Sequence, residues 1–559
     1  MIYKITKGYS MDHNNKRLIF VTGGVLSSLG KGIVASSLGT LLERQGLKVT
    51  IVKADPYLNI DSGTMSPFQH GEVFVTDDGA ETDLDLGYYE RFLNCSMSIR
   101  NHITSGRIFY NVINRERKGD YLGGTVQVIP HITDEIKKNI LNQDNEVEVI
   151  IVEIGGTVGD IESLPYLEAI RQLRSQVEHT LCIHVTLVPY IATSGEVKTK
   201  PTQHSVKELR SVGLNPDLIV CRSSVDLGKE HREKIALFTN VHASCVFENP
   251  DVKTIYEVPL VLEQQGIVQK VMQKLGLSFK DNIFLDDWKE IVSSIKNSQE
   301  KVDIAIVGKY ASLTDAYKSI NESLVHAGIA SSLNVNIHYI DAEDLELNPK
   351  NIGSILAPFD GVLVPGGFGE RGVLGKILTA QYCRENKKPY FGICLGMQLA
   401  AIEYIRNVVG YKDATSAEFN PKAEHKVFCL MTDWIDDAQQ HQKRTVDGDM
   451  GGTMRLGAQL CDLTQGSRVH QIYQKDQISE RHRHRYELSL HYASLLEKAG
   501  MTISGYSSFQ KLPEIIELSD HPWFIGTQFH PEFKSKPTQP HPLFIDFIKT
   551  AFNLKNKKV

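Results

Sequence analysis

The run Lys16-Arg-Leu-Ile-Phe-Val-Thr ends in Gly23-Gly24, and a helical pattern starts near Lys31, with Ile33, Leu38, Leu41 and Leu42 at its apolar positions. A strand that hands over to a helix through a glycine turn belongs to parallel-sheet architecture, because crossover helices must cover both faces of such a sheet. The alternation continues with strand candidates at Lys48-Val-Thr-Ile-Val-Lys, Glu148-Val-Ile-Ile-Val-Glu, Leu181-Cys-Ile-His-Val-Thr-Leu-Val and Asp217-Leu-Ile-Val-Cys. It stalls between Ser278 and Lys301, a polar stretch with one amphipathic helix candidate from Asp286 to Ile295. A second series then starts at Val302-Asp-Ile-Ala-Ile-Val-Gly and runs through Val335-Asn-Ile-His-Tyr-Ile, Gly361-Val-Leu-Val-Pro and Pro389-Tyr-Phe-Gly-Ile-Cys. The expected fold class is α/β in two domains, residues 1–281 and 301–559, joined by a linker at 282–300.

The chain's 559 residues exceed what one hydrophobic core usually spans, which agrees with two domains. Lys plus Arg number 61 against 67 Asp plus Glu, so no global positive charge exists to bind nucleic acid, and phosphate chemistry has to be local. No run reaches the roughly 18 apolar residues of a membrane span; the longest candidate, from Ile355, is broken by Pro358 and Asp360. The first residues carry lysines but no apolar signal-peptide core, and the 8 cysteines show no CxxC spacing. A cytoplasmic protein with free thiols, no membrane and no nucleic-acid partner is the expectation.

Gly24-Val-Leu-Ser-Ser-Leu-Gly30-Lys31-Gly32 lies between strand and helix. Glycines there let backbone N–H groups converge on phosphate oxygens at the positive end of the helix, and Lys31 reaches the outer phosphates. An ordinary glycine turn is the bland alternative. The usual loop places Ser or Thr after the lysine to hold a metal; here that position is Gly32, so the task passes to oxygen donors at later strand ends. Glu153, closing Val149-Ile-Ile-Val, and Asp85 fit that role, although the acidic tract around Asp85 also reads as a solvated loop. Lys53 reads as a second phosphate cation or as a surface lysine. Lys198-Thr-Lys-Pro-Thr-Gln203 suits a second polyphosphate and an exposed turn equally well.

Gly392-Ile-Cys394-Leu-Gly396-Met-Gln398 has the GxCxG form of a nucleophile elbow, a tight strand-to-helix turn that holds one side chain out. The helix N-terminus lowers a thiol pKa there, and the Leu395 N–H can meet a developing oxyanion. In Gln528-Phe-His530-Pro-Glu532-Phe, two residues apart on an extended segment, His530 and Glu532 point to one side, as base and orienting carboxylate. The turn Gly366-Gly367-Phe-Gly offers a second oxyanion N–H, assigned to Gly367. In Arg481-His-Arg-His-Arg485, alternation puts the histidines on one face and the arginines on the other. One of those arginines suits a substrate carboxylate; a solvated charged strand is the competing reading.

Taken together, Val21-Thr-Gly-Gly-Val-Leu-Ser-Ser-Leu-Gly-Lys-Gly, Asp55-Pro-Tyr, Ser66-Pro-Phe-Gln-His-Gly-Glu-Val-Phe-Val and Gly79-Ala-Glu-Thr-Asp-Leu-Asp-Leu-Gly resemble the CTP synthase family. Pro365-Gly-Gly-Phe-Gly, Cys394, Arg481-His-Arg-His-Arg-Tyr-Glu and Phe529-His-Pro-Glu-Phe resemble its class I glutamine amidotransferase domain. The resemblance covers residues 16–550. It implies a P-loop-type parallel-sheet synthetase domain followed by a glutaminase domain, and ATP-dependent amination of UTP to CTP through a 4-phosphorylated UTP.

By that resemblance Ser28, Leu29, Gly30, Lys31, Gly32 and Ile33 hold ATP together with Lys53 and Asp85, while Asp85 and Glu153 hold Mg2+. Ser27, Lys198, Thr199, Lys200, Pro201, Thr202, Gln203 and Lys234 match UTP positions, and Asp160, Ile161 and Glu162 match the region where CTP binds as inhibitor. Cys394, His530 and Glu532 match the catalytic set. Gly367, Leu395, Gly396, Met397, Gln398, Glu418 and Arg485 match glutamine contacts. His70 and Val73 match the mouth of an ammonia channel, and Arg444 the lid that responds to the activator GTP. A homotetramer with its UTP site built across subunits is also implied.

The sequence departs from the family at an N-terminal extension, at Ala54 before Asp-Pro-Tyr, and at Ser489 after Tyr-Glu-Leu. None removes a catalytic group. Two other readings compete: another ATP-dependent amide-forming ligase with a fused glutaminase, and a silent nucleotide-binding assembly protein. The runs Ser66–Val75 and Lys198–Gln203 oppose the first, and the intact set Lys31, Asp85, Glu153, Cys394, His530 and Glu532 opposes the second.

Overall fold

A computed structural model describes residues 16–281, 283–310, 313–430, 433–435, 441–443 and 454–557. The chain forms two compact units. Among the described residues, those up to Ser62 and Asp85–Val292 make the first; Gly63–Leu84 and those from Ser293 onward make the second. The division at 292/293 falls within the helix Asp286–Asn297.

In the first unit, β1 (Arg17–Gly23) leads through the glycine loop into α1 (Lys31–Arg44). Next come β2 (Val49–Asp55), α2 (Asp85–Phe92), β3 (His102–Thr104), β4 (Val149–Ile154), β5 (Thr180–Leu187), α3 (Lys200–Ser211), β6 (Leu218–Ser223), α4 (Gly228–Thr239) and β7 (Val246–Pro250). The seven strands form one sheet in the order β7-β6-β5-β1-β4-β2-β3, and every pairing is parallel. β1 and β4 are apolar along nearly their whole length because both faces are covered, and Leu18, Phe20, Ile150 and Val152 are fully buried in the core. Each such side chain contributes about 1.5–3 kcal/mol relative to exposure.

The second unit builds a nine-stranded sheet from β8 (Lys301–Gly308), β9 (Asn334–Asp341), β10 (Gly361–Val364), β11 (Tyr390–Ile393), β12 (Arg455–Leu463), β13 (Gln477–His484), β14 (Thr502–Ser507), β15 (Pro513–Glu517) and β16 (Phe524–Thr527). The order is β9-β8-β10-β11-β16-β15-β14-β12-β13. Pairings are parallel from β9 to β16 and antiparallel from β16 to β13. Helices α5 (Lys318–Ser331), α6 (Val373–Glu385), α7 (Leu395–Tyr404) and α8 (Pro542–Lys557) cover it. α7 is buried at every position from Leu395 to Tyr404, so its apolar residues are not confined to one stripe, and its polar side chains Gln398 and Glu403 are buried with hydrogen-bond partners.

The eight cysteines are free thiols. No described helix is long and apolar enough to cross a membrane.

Candidate active sites

In the first unit, the glycine loop, Lys53, Asp85 and Glu153 come together near the carboxyl ends of β1, β2 and β4, where parallel sheets present ligand contacts. Gly30 caps α1 at φ 85, a left-handed conformation that suits a residue without a Cβ. Gly24 is needed for space: a Cβ there would lie 1.6 Å from Ser205 Oγ. Lys31 folds back beside Gly23, and its Nζ donates to Gly156 O at 2.7 Å. Burial lowers the Lys31 pKa, against the pull of Glu153.

Lys53 Nζ lies 3.0 Å from Glu153 Oε1 and 3.8 Å from Asp55 Oδ1, and it also pairs with Asp85 Oδ2. Burial opposes its charge, but the carboxylates of Asp85, Glu153 and Asp55 outweigh burial and hold the ammonium well above the usual lysine range. Burial raises the Glu153 pKa more than Lys53 lowers it. The Tyr89 hydroxyl donates to Glu153 Oε2. A Cβ on Gly32 would meet Asp85 Oδ1 at 2.8 Å and Glu153 Oε2 at 3.3 Å. The glycine thus leaves the space beside the loop to two carboxylates, a donor set that fits Mg2+ shared with phosphate oxygens. Asp85 opens α2 and does not stand in a solvated loop, and the reading of Lys53 as a surface lysine is excluded by its burial.

Lys198–Gln203 is an exposed turn only in part. Lys198 is exposed and ion-paired with Glu196, whereas Lys200 opens α3, Pro201 sits in its first turn, and Thr199 and Thr202 are buried. Thr202 Oγ1 donates to Leu187 O at 3.0 Å, and Gln203 Nε2 donates to Thr199 Oγ1 at 3.1 Å. Buried His184, which the sequence reading missed, ties this helix to the glycine loop's strand: its Nδ1 lies 3.0 Å from Thr22 Oγ1 and its Nε2 2.6 Å from Ser205 Oγ. Burial, with Lys31 nearby, pushes its pKa down to about 3, so the ring is neutral. Ser27, Asp160, Ile161, Glu162 and Lys234 are exposed.

In the second unit, Cys394 joins β11 to α7 at φ 50 and ψ −104, a strained conformation held by its surroundings. A Cβ on Gly396 would stand 2.1 Å from Val364 O, and one on Gly392 2.7 Å from the Gly396 carbonyl carbon. The two glycines let helix and strand meet closely enough to form the elbow. Cys394 and His530 lie side by side against Gly366, where a Cβ would be 3.5 Å from Cys394 Cβ and 2.8 Å from His530 Cε1. His530 Nδ1 is 2.7 Å from Glu532 Oε1, and among the described residues His530 Nε2 is buried without a hydrogen bond. Burial disfavours the imidazolium, but Glu532 and Cys394 outweigh it and the His530 pKa is pushed up to about 10. The segment is not extended as the sequence spacing implied: Pro531–Lys534 forms a 3₁₀ turn, and the turn brings the carboxylate back onto the ring.

Gln398 is buried, with Nε2 donating to Gln528 Oε1 at 3.2 Å and Tyr486 O at 3.3 Å. Gln528 Nε2 in turn reaches Cys394 Sγ at 3.6 Å, a contact the sequence reading did not assign although Gln528 opens the His530 motif. Glu418 Oε1 accepts from Gly369 N at 2.7 Å, and burial raises its pKa. The Arg485 guanidinium lies 5.8 Å from the Phe368 ring centre, beside the same glycine turn. Lys309 Nζ donates to Phe368 O and to Gly369 O, the second at 3.4 Å. Lys309 and Lys376, buried beneath that turn, were also missed, because a lysine carries no sequence signal of burial.

The solvated reading of Arg481–Arg485 is wrong. Arg481 is 1% exposed and bonds Asp77 Oδ1 at 2.7 Å and Val75 O at 3.1 Å, while Arg483 Nε meets Glu81 Oε1 at 2.8 Å. His482 and His484 do share the opposite, buried side, 2.9 Å apart. His70 and Val73 are half-buried in the second unit. Arg444 lies outside the described residues.

Among family models, residues 17–277 match the CTP synthase N-terminus and residues 312–550 match class I glutamine amidotransferase. A curated protein of Maridesulfovibrio salexigens named CTP synthase is 56% identical over 545 residues, which is 97% of this chain and 99% of that one. A solved structure described as the Trypanosoma brucei CTPS glutaminase domain with bound acivicin is 40% identical, covering 45% of this chain and 94% of that chain with a TM-score of 0.41.

Proposed function

The chain belongs to the CTP synthase family, and from that premise we propose how its residues divide the conversion of UTP to CTP between two sites. ATP binds at the glycine loop, with Ser28–Ile33 and Lys53 around its phosphates and Lys31 at the outermost ones. Asp85 and Glu153 would hold Mg2+, which when bound would offset phosphate charge. UTP takes Ser27, Lys198–Gln203 and Lys234, so that its O4 receives the γ-phosphoryl group and ADP leaves. Ammonia adds to C4, phosphate departs with the C–O bond, and loss of a proton yields CTP. CTP returns to Asp160–Glu162 as an inhibitor.

At the second site the Cys394 thiolate attacks the glutamine carboxamide, and the Leu395 and Gly367 N–H groups face the oxyanion. His530, held by Glu532, gives a proton to the departing ammonia and then takes one from the water that cleaves the thioester to glutamate. Gln398, Glu418 and Arg485 orient the substrate's amino-acid end. Ammonia passes to the synthetase site by way of His70 and Val73, GTP activates the glutaminase, and the enzyme works in the cytoplasm as a homotetramer.

The observation that carries this reading is the elbow itself: Cys394 at φ 50, with His530 beside it against Gly366 and Glu532 Oε1 2.7 Å from His530 Nδ1. The test is CTP formation from UTP, ATP and Mg2+ with glutamine or with ammonium. Cys394→Ala abolishes the glutamine-dependent reaction and spares the ammonium-dependent one. Loss of both in a folded variant refutes the division between two sites.

A further inference from the structure

Lys376 lies in the first turn of α6, and its side chain is fully buried. Among the described residues its Nζ has no hydrogen-bond partner. A buried amine without a partner is a standing cost to the fold, so its position calls for an explanation. The position is specific. A Cβ on Gly367 would stand 3.9 Å from Lys376 Nζ, 3.7 Å from Lys309 Cε and 3.7 Å from Leu395 Cδ2. The amine therefore lies directly against the glycine assigned as the second oxyanion donor, beside the residue that supplies the first.

The charged groups that face it come from four places: Lys309 at the end of β8, Asp341 at the end of β9, Arg371 in the loop before α6, and Cys394 at the elbow. Among the described residues, the carboxylates around this turn already have donors. Asp341 Oδ1 accepts from Glu343 N at 2.9 Å, Glu343 pairs with Arg371 at 2.9 Å, Glu346 accepts from Leu374 N at 2.6 Å, and Glu418 accepts from Gly369 N at 2.7 Å. Lys309 is likewise occupied by the Phe368 and Gly369 carbonyls. What remains to complement Lys376 is negative charge at Cys394 and at the oxygen of a tetrahedral adduct.

We infer that Lys376 is a positioning residue of the glutaminase site, whose buried amine, as an ammonium beneath the Gly367 peptide, balances the negative charge that forms on Cys394 Sγ and on the substrate oxyanion. The inference rests on the glutaminase reading of Cys394. It agrees with the electrostatics: burial, reinforced by Lys309, pulls the Lys376 pKa down to about 7, and negative charge at Cys394 works against that shift and favours the ammonium.

Lys376→Met keeps the volume and removes the charge. Glutamate release and ammonium-dependent CTP formation are followed between about pH 6 and about pH 9. The expected result is a loss of about tenfold in glutamine kcat/KM at neutral pH and an upward move of the acidic limb by about one pH unit, the equivalent of tenfold in a protonation equilibrium. Ammonium-dependent CTP formation stays unchanged, and Lys376→Arg returns the limb to its original place. A limb that does not move, or an equal loss of both reactions, overturns the inference. Lys376→Gln, polar but uncharged, gives the same readout if the methionine variant does not fold. Cys394→Ala, assayed alongside, separates the two ideas: surviving glutaminase activity there removes the premise, whereas its loss with an unmoved Lys376→Met limb removes only the role of Lys376.

Discussion

His530 Nδ1 lies 2.7 Å from Glu532 Oε1 with both side chains buried, and this pair, more than any other, sets the proton inventory of the glutaminase site. Burial works against an imidazolium, yet Glu532 and Cys394 raise the His530 pKa to about 10. The folded protein therefore binds a proton there that the unfolded chain releases near the ordinary histidine pKa of about 6.5.

Glu532→Gln removes the counter-charge. Glutamine kcat/KM falls by about 10²–10⁴, the range seen when an orienting carboxylate is lost, with ammonium-dependent CTP formation intact. The stability contribution of the wild-type pair is complete below about pH 6.5 and fades as pH rises toward 10. Thermal melts across that window show a steeper decline for wild type than for Glu532→Gln; parallel curves refute the assignment.

Lys53 is held by Asp85, Glu153 and Asp55, all within 3.8 Å. Lys53→Met leaves three carboxylates without their shared cation, and urea unfolding registers a loss of about 3–5 kcal/mol. On the proposal that Asp85 and Glu153 would hold Mg2+ in the folded state alone, added Mg2+ is expected to recover part of that loss. CTP synthesis from glutamine and from ammonium disappears together. Retention of ammonium-dependent synthesis contradicts the placement of phosphate at Lys53.

Gly396 has no room for a methyl group, since its Cβ would be 2.1 Å from Val364 O. Gly396→Ala pushes α7 off β10 and shifts Cys394 with it. Displacements near 1 Å cost about 10²-fold in rate, so glutaminase activity drops by at least that factor while the ammonium reaction persists. A crystal structure of the variant with an unmoved elbow and full activity disproves the steric argument.

Arg455 is buried between Glu514 (2.5 Å) and Glu487 (3.4 Å). Burial alone would raise the Glu514 pKa, but Arg455 and His482 overcome it and hold the carboxyl down at about 2. The resulting stability is present above the unfolded value of about 4.5 and is lost as pH falls toward 2. Arg455→Met costs about 3–5 kcal/mol at neutral pH and flattens that acid transition. Unchanged acid unfolding in the variant argues against the pair.

Much of this molecule is legible in one dimension. The strand, glycine loop and helix from Arg17 to Arg44 follow from local apolar pattern and turn chemistry, as do the strand and elbow around Cys394. His530 and Glu532 were identified correctly as partners by their proximity in sequence, but for the wrong local geometry: a 3₁₀ turn, not strand alternation, brings the carboxylate to the ring. Other features carry no local signal at all. Lys376 and Lys309 drew no reading from the sequence, and nothing in their neighbours' identity reveals that both lie under one glycine turn.

The sequence by itself determined the kinds of chemistry on offer: a phosphate loop whose lysine is followed by glycine, and a thiol between glycines with a histidine and a carboxylate downstream. Tertiary structure decided which groups meet. Asp77 bonds Arg481 across 404 positions, Glu81 bonds Arg483 across 402, and the segment Gly63–Leu84 accordingly belongs to the second unit although it lies early in the chain. Propensity and periodicity act over a few residues, whereas a buried charge is satisfied by whatever partner the fold brings within about 3 Å, however distant along the chain.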